Sequence, residues 1–160
     1  MRIRDLEMTD MTNVISLWNE IIAEGNSFPE DTILSEEEGI EFFATQSAIG
    51  VAEDVSGALR GLYVLRSCGI GRCGHIGTAS VAVSSTARGI HIGEKLLKDC
   101  MDKAREHGFK ILELKDVREE NMVANHLFTK LGFRLIGSIP NGFRNKDGSY
   151  SNTMIYYCEL

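Results

Sequence analysis

Proline is almost missing from this chain, at two residues in 160. No Ser/Gly-rich or Pro-rich stretch interrupts the sequence, and no internal repeat is present. Without a linker composition there is no place to cut the chain, so residues 1–160 are expected to form one domain. No apolar run approaches the ~18–20 residues that a bilayer-spanning helix needs, so no membrane partner is expected. Basic residues are short against acidic ones, 17 against 23, for a formal net charge of -6. That balance argues against nucleic acid as the main partner, because backbone phosphates call for clustered Lys and Arg. Cysteine is sparse as well. Cys68, Cys73, Cys100 and Cys158 form no CxxC and match no zinc spacing, so no metal is expected. The N-terminus, Met1-Arg2-Ile3-Arg4-Asp5, reads as a strand rather than a signal peptide, and free thiols then fit a reducing cytoplasm.

What is present is alternating patterning. Residues 1–7 read as a strand. Thr9 and Asp10 are placed to cap a helix to about Glu24, with Val14, Leu17, Trp18, Ile21 and Ile22 on one face and Gly25 as its stop. Ser35-Glu36-Glu37-Glu38 is a capping box that opens a second helix ending near Gln46. Ile49–Val55 and Ala58–Arg66 are strands joined by a turn over Asp54–Gly57. A strand over His75–Val83, a helix from His91 to about Glu106 and a strand over Ile111–Val117 follow. Glu119 or Glu120 is expected to open a helix ending near Leu131-Gly132, before closing strands over Phe133–Ile139 and Ser151–Glu159. Strand–helix alternation in the second half predicts parallel pairing there.

Two glycine-bearing segments compete for phosphate. Gly69-Ile70-Gly71-Arg72-Cys73-Gly74 satisfies GxGxxG, but a dinucleotide fingerprint must open a helix and this one opens a strand. It reads as a hairpin connection. Arg88-Gly89-Ile90-His91-Ile92-Gly93 lies between a strand and an amphipathic helix. Main-chain N–H groups at a helix start lack intrahelical partners and the helix dipole favours anions there, so this turn can hold a phosphate without cationic side chains.

Downstream, Asn121-Met122-Val123-Ala124-Asn125-His126-Leu127-Phe128-Thr129-Lys130-Leu131-Gly132-Phe133 has the form N-x-x-A-x-x-L-aromatic-x-K-x-G-F. The two segments in this order resemble the GNAT superfamily of acyl-CoA-dependent N-acetyltransferases. The tail Gly137–Tyr150, with Trp18-Asn19-Glu20 and Glu24–Pro29, resembles the phosphinothricin and amino-acid acetyltransferase-like subgroup. The resemblance implies a single-domain α/β (α+β) fold: a mixed, mostly antiparallel central sheet flanked by helices and splayed between the fourth and fifth strands. It implies acetyl transfer from acetyl-CoA, leaving CoA as product, to a small-molecule primary amine. Acetylation of a protein or peptide amine and a non-catalytic CoA-binding sensor are the alternatives. Members are often dimers, which makes a homodimer compatible with the resemblance.

Carried onto this chain, the resemblance assigns cofactor binding to Val81, Ala82, Val83, Arg88, Gly89, Ile90, His91, Ile92, Gly93, Asn121, Phe128 and Lys130. The N–H of Val83 would stabilise the oxyanion. Asp116 and Ser80 are the nearest candidates for moving the amine proton. Glu20, Glu24, Phe28 and Lys115 are the expected acceptor wall. Two residues depart from the pattern: His91 stands where the family usually has glycine, and Phe128 where many members carry tyrosine. A phenylalanine has no proton for the departing thiolate, so the reaction would run more slowly, use another donor, or release thiolate directly.

Overall fold

The computed structural model describes residues 1–160 throughout. Its elements are β1 (Arg2–Asp5), α1 (Met11–Glu24), α2 (Glu36–Ala44), β2 (Ala48–Glu53), β3 (Leu59–Ser67), β4 (Ile76–Val83), α3 (Ile92–Glu106), β5 (Ile111–Arg118), α4 (Met122–Lys130), β6 (Arg134–Arg144) and β7 (Tyr150–Glu159). All seven strands join one sheet in the order β1-β2-β3-β4-β5-β7-β6.

Period-two patterning decides which face each residue serves. On β3, Leu62 and Val64 pack with Trp18, Ile21 and Phe43 from α1 and α2. Their neighbours Tyr63 and Leu65 pack on the opposite face with Leu96, Leu97 and Cys100 from α3. The sheet is therefore covered by helices on both sides. Tyr63, although buried, keeps its hydroxyl satisfied by donating to Asp99 of α3 at 2.7 Å.

Several local expectations are met. The Ser35 hydroxyl accepts from the Glu38 N–H at 3.2 Å while the Ser35 N–H donates to the Glu38 carboxylate at 2.8 Å, a reciprocal cap. Gly25 ends α1 in the left-handed region at φ +69°. The Gly69–Gly74 segment connects β3 to β4 through a 3₁₀ turn and opens no helix.

Three expectations need correction. Only β4 and β5 pair in parallel. The β5–α4–β6 crossover does leave β5 and β6 pointing the same way, but β7 inserts between them and pairs antiparallel with both. Helix α4 starts after Asn121 rather than at Glu119 or Glu120, because the Asn121 side chain accepts from the Ala124 N–H and supplies the cap. Strand β6 runs on to Arg144, five residues past the expected end, with an irregular register between Ile139 and Phe143 and Asn141 at φ +56°.

The one parallel pair is also the weak seam of the sheet. β4 and β5 are in register only at Ile76–Ile111, Gly77–Leu112 and Thr78–Glu113. Beyond Thr78 they separate, so the sheet is splayed between its fourth and fifth strands. The cause lies on β5, where the register with β7 jumps between Leu114 and Val117 and Asp116 adopts φ +59°. An extra residue in one strand of a pair bends that strand and increases its twist, and aspartate is among the side chains best tolerated at such an angle.

Candidate active site

The splay leaves the β5-facing edge of β4 without ladder partners. Which main-chain groups face the gap follows from parity. The Ser84 N–H donates to the Arg60 carbonyl, on the β3 side, whereas the His75 carbonyl accepts from Lys110, on the β5 side. Groups of odd-numbered residues on β4 therefore point toward β5, and those of Val81 and Val83 open into the gap.

Four residues beyond Ser84 the chain turns into α3. Gly89 takes φ +82° and His91 takes φ +61°, directly before the first helical residue, Ile92. Successive amides in such a turn converge. The main-chain N–H groups of Arg88 through Glu94 donate to no acceptor in the protein. The helix offers no side-chain cap, since His91 projects its imidazole to solvent with Nδ1 3.7 Å from Glu94. The turn thus presents a row of donors at the positive end of a 15-residue helix.

Both features open on one cavity of about 850 Å³. Val81, Ala82 and Val83 form its floor. Arg88, Gly89, His91, Ile92 and Gly93 form one wall, and α4 gives the other through Asn121, Phe128 and Lys130. Glu24, Asn26 and Ser27 close it from the end of α1. Eleven of the twelve residues expected to bind cofactor line this space. Ile90, the twelfth, lies on the exposed outer side of the turn.

The remaining candidates stand elsewhere. The Glu20 carboxylate accepts from the Ser85 N–H at 2.8 Å and the Ser84 hydroxyl at 3.4 Å, and the Ser85 bond holds it below the usual carboxylate range. It braces the exit of β4. Phe28 is buried against Trp18, with ring centroids 4.5 Å apart, and packs in the α1 core. Lys115 is exposed, and Asp116 sits on the bulge. The Ser80 hydroxyl lies 3.5 Å from the Arg66 guanidinium. None of these five lines the cavity.

Within the cavity, cations meet carboxylates from the protein. Arg88 donates to both oxygens of Glu24, at 2.6 and 2.8 Å. Lys130 donates to Glu94 at 2.7 Å, and Lys98 does the same from the next turn at 2.8 Å. These two lysines hold the Glu94 carboxyl down to about 2. Phe128 meets Tyr156 edge-to-face with ring centroids 5.4 Å apart, but that phenol is committed to Asn125 at 2.7 Å and does not line the cavity. The lining contains no phenolic hydroxyl in place of the missing tyrosine.

Among the lining residues that the sequence did not single out, the one bearing a cationic side chain is Arg118, at the end of β5. Only its place three residues before Asn121 could have suggested it.

Comparison with known proteins follows the same lines. The acetyltransferase (GNAT) family profile matches residues 11–133. No curated protein sequence matches the chain. Among solved structures, a GCN5-related N-acetyltransferase from Kribbella flavida superimposes with a TM-score of 0.92 at 29% identity, covering 99% of this chain and 97% of that one. A phosphinothricin acetyltransferase from Sinorhizobium meliloti, solved in complex with acetyl-CoA, gives 0.92 at 23% identity, covering 99% and 88%. A ribosomal-protein-alanine N-acetyltransferase from Brucella melitensis gives 0.93 at 21% identity, with both chains covered completely. The last two share the fold with this chain while their names differ in acceptor, so architecture alone does not choose one. With the profile spanning most of its length, the chain belongs to the GNAT family and is an acetyltransferase.

Proposed function

We propose that this enzyme transfers an acetyl group from acetyl-CoA to the primary amine of a small molecule, an amino acid or close analogue, working as one domain in the cytoplasm. The observation that carries the reading is the row of free N–H groups from Arg88 to Glu94, opening on the same cavity as the unpaired edge of Val81 and Val83. A pyrophosphate meets the first set and an extended amide-bearing arm meets the second. Acetyl-CoA has both groups, and it supplies the acetyl group as a thioester.

In this reading the residues divide the work. The turn Arg88–Gly93 holds pyrophosphate through main-chain donors. Val81 pairs with the arm, and the Val83 N–H donates to the thioester oxygen, where a fixed donor in a water-poor site is worth most. Asn121 spends its carbonyl oxygen on the helix cap, which leaves its amide N–H₂ for the arm. Phe128 packs beside the thioester and supplies no proton, so CoA leaves as thiolate. That is tolerable for a thiol of pKa ~8.5 or slightly above. Asp116 and Ser80 remain the assigned carriers of the amine proton, working through water because neither lines the cavity.

The test is thiol release from acetyl-CoA with the common amino acids, polyamines and basic peptides as acceptors. Turnover confined to small amines is the expected result. Turnover with peptides alone, or CoA binding with no turnover on any amine, would overturn the reading.

A further inference from the structure

Three cationic side chains line the cavity, and their partners differ. Arg88 and Lys130 each make a close ion pair with a carboxylate of the protein, at 2.6 and 2.7 Å. Arg118 does not. Its side chain is only 18% exposed, yet its nearest carboxylate oxygen, on solvent-facing Glu120, is 3.8 Å away and outside hydrogen-bond distance. A guanidinium carries five N–H donors in a planar fork. Here one terminal nitrogen reaches the Asn26 carbonyl at a long 3.3 Å, and the buried Nε–H has no acceptor at all. Removing a charge from water without a matching partner is costly, so a largely buried and under-partnered guanidinium in a ligand cavity points to an anionic group that arrives with the ligand.

The position selects which ligand. Arg118 lies on β5, across the splay from Val83. Its guanidinium carbon sits over the ring of Phe143 on β6, 5.5 Å from the centroid, a cation–π contact. Its other contact is Asn26, in the loop after α1. The phosphate-type donors lie on the β4–α3 side instead. Resting on the small-amine reading above, we infer that Arg118 is the specificity-determining residue for the acceptor: it holds a carboxylate carried on the same small molecule as the reacting amine. The fork matches a carboxylate bidentately, which a lysine cannot do.

The experiment compares amino acids with their carboxamides, which keep the amine and lose the negative charge. The native enzyme is expected to favour the acid over the amide by at least ~30-fold in kcat/KM, a range typical of hydrogen bonds to a charged group. Arg118→Gln should abolish that preference, chiefly through KM, and leave the affinity for CoA measured by calorimetry unchanged. Arg118→Lys should recover part of the preference, which also shows that lost activity is not lost folding. Equal use of acid and amide by the native enzyme sinks the assignment while leaving the small-amine reading intact. A fall in CoA affinity in Arg118→Gln also sinks it, by giving the arginine to a donor phosphate. Failure of every small amine to turn over sinks the small-amine reading and this assignment together.

Discussion

His91 shows how a single residue can depart from a motif and keep its geometry. At φ +61° it occupies a backbone region that glycine enters freely and a side chain enters at a cost of roughly 1–2 kcal/mol. The imidazole is 79% exposed and blocks no amide of the turn. His91→Gly is therefore expected to raise stability by up to ~1 kcal/mol, because glycine's larger unfolded-state entropy offsets part of the relief. Its CoA affinity should stay within about twofold, since amides rather than the side chain make the site. Thermal unfolding and calorimetry check both parts. Phe128 is the opposite case, with geometry kept and chemistry removed. It faces a cavity whose lining holds no phenolic hydroxyl, so Phe128→Tyr should raise kcat roughly tenfold, below the usual range for a general acid because the thiolate already leaves readily. Stopped thiol-release assays across pH would show the gain; an unchanged kcat would mean that another step limits turnover.

Among the elements, the decisive event is the parting of β4 and β5 after three register pairs. The bulge at Lys115-Asp116 bends β5, and the freed edge of β4 lines the cavity. Neither motif advertises this, because a bulge is specified by the partner strand as much as by its own residues. The ends of α1 and β4 are coupled by Glu20, which braces Ser84 and Ser85, and by Glu24, which occupies Arg88. In the proposed function, a pyrophosphate on the turn would compete with Glu24 for that guanidinium. Glu24→Gln is expected to tighten CoA binding about threefold at low salt, the scale of a partly exposed ion pair, and the gain should shrink as salt rises. Calorimetry at two ionic strengths decides it; weaker binding would mean that Glu24 orients Arg88 rather than competing for it.

For the whole molecule, the sheet buries one hydrophobic cluster under α1 and α2 and another under α3 and α4. The first strand is tied to β2 and to the turn before α1 by Arg4, which donates to Glu53 at 3.0 Å and to Asp10 at 2.6 and 3.0 Å. Asp10 is buried, and its hydrogen bonds from Arg4 hold its carboxyl below the ordinary 3.8. A depressed carboxyl stabilises the fold fully above its unfolded value, and that contribution drains away as pH falls through the lower, folded value. Asp10→Asn should cost about 2 kcal/mol at neutral pH. The variant should also lose less stability than the native protein between pH 4 and the acid limit. Denaturant melts at pH 7 and pH 3 provide the check, and parallel pH profiles for the two proteins would contradict it.

The sequence determined what depends on neighbours along the chain. Apolar spacing set the helices and strands, Ser35–Glu38 and Gly25 set their ends, and the segment from Arg88 to Gly93 set a turn before α3 whose N–H groups find no acceptor in the protein. Those features come from local dihedral preferences and hydrogen bonds that a few consecutive residues can specify. The tertiary structure alone decided what depends on distant partners. β7 entered between β5 and β6, so the parallel pairing that the alternation predicts is confined to β4 and β5. Glu20 and Phe28 were turned to bracing and packing. Arg118, unremarkable in sequence, was left half-buried beside Asn26 and Phe143 without a close carboxylate. Pairing order and the company of a buried charge are properties of contacts between residues tens of positions apart, and no local pattern encodes them.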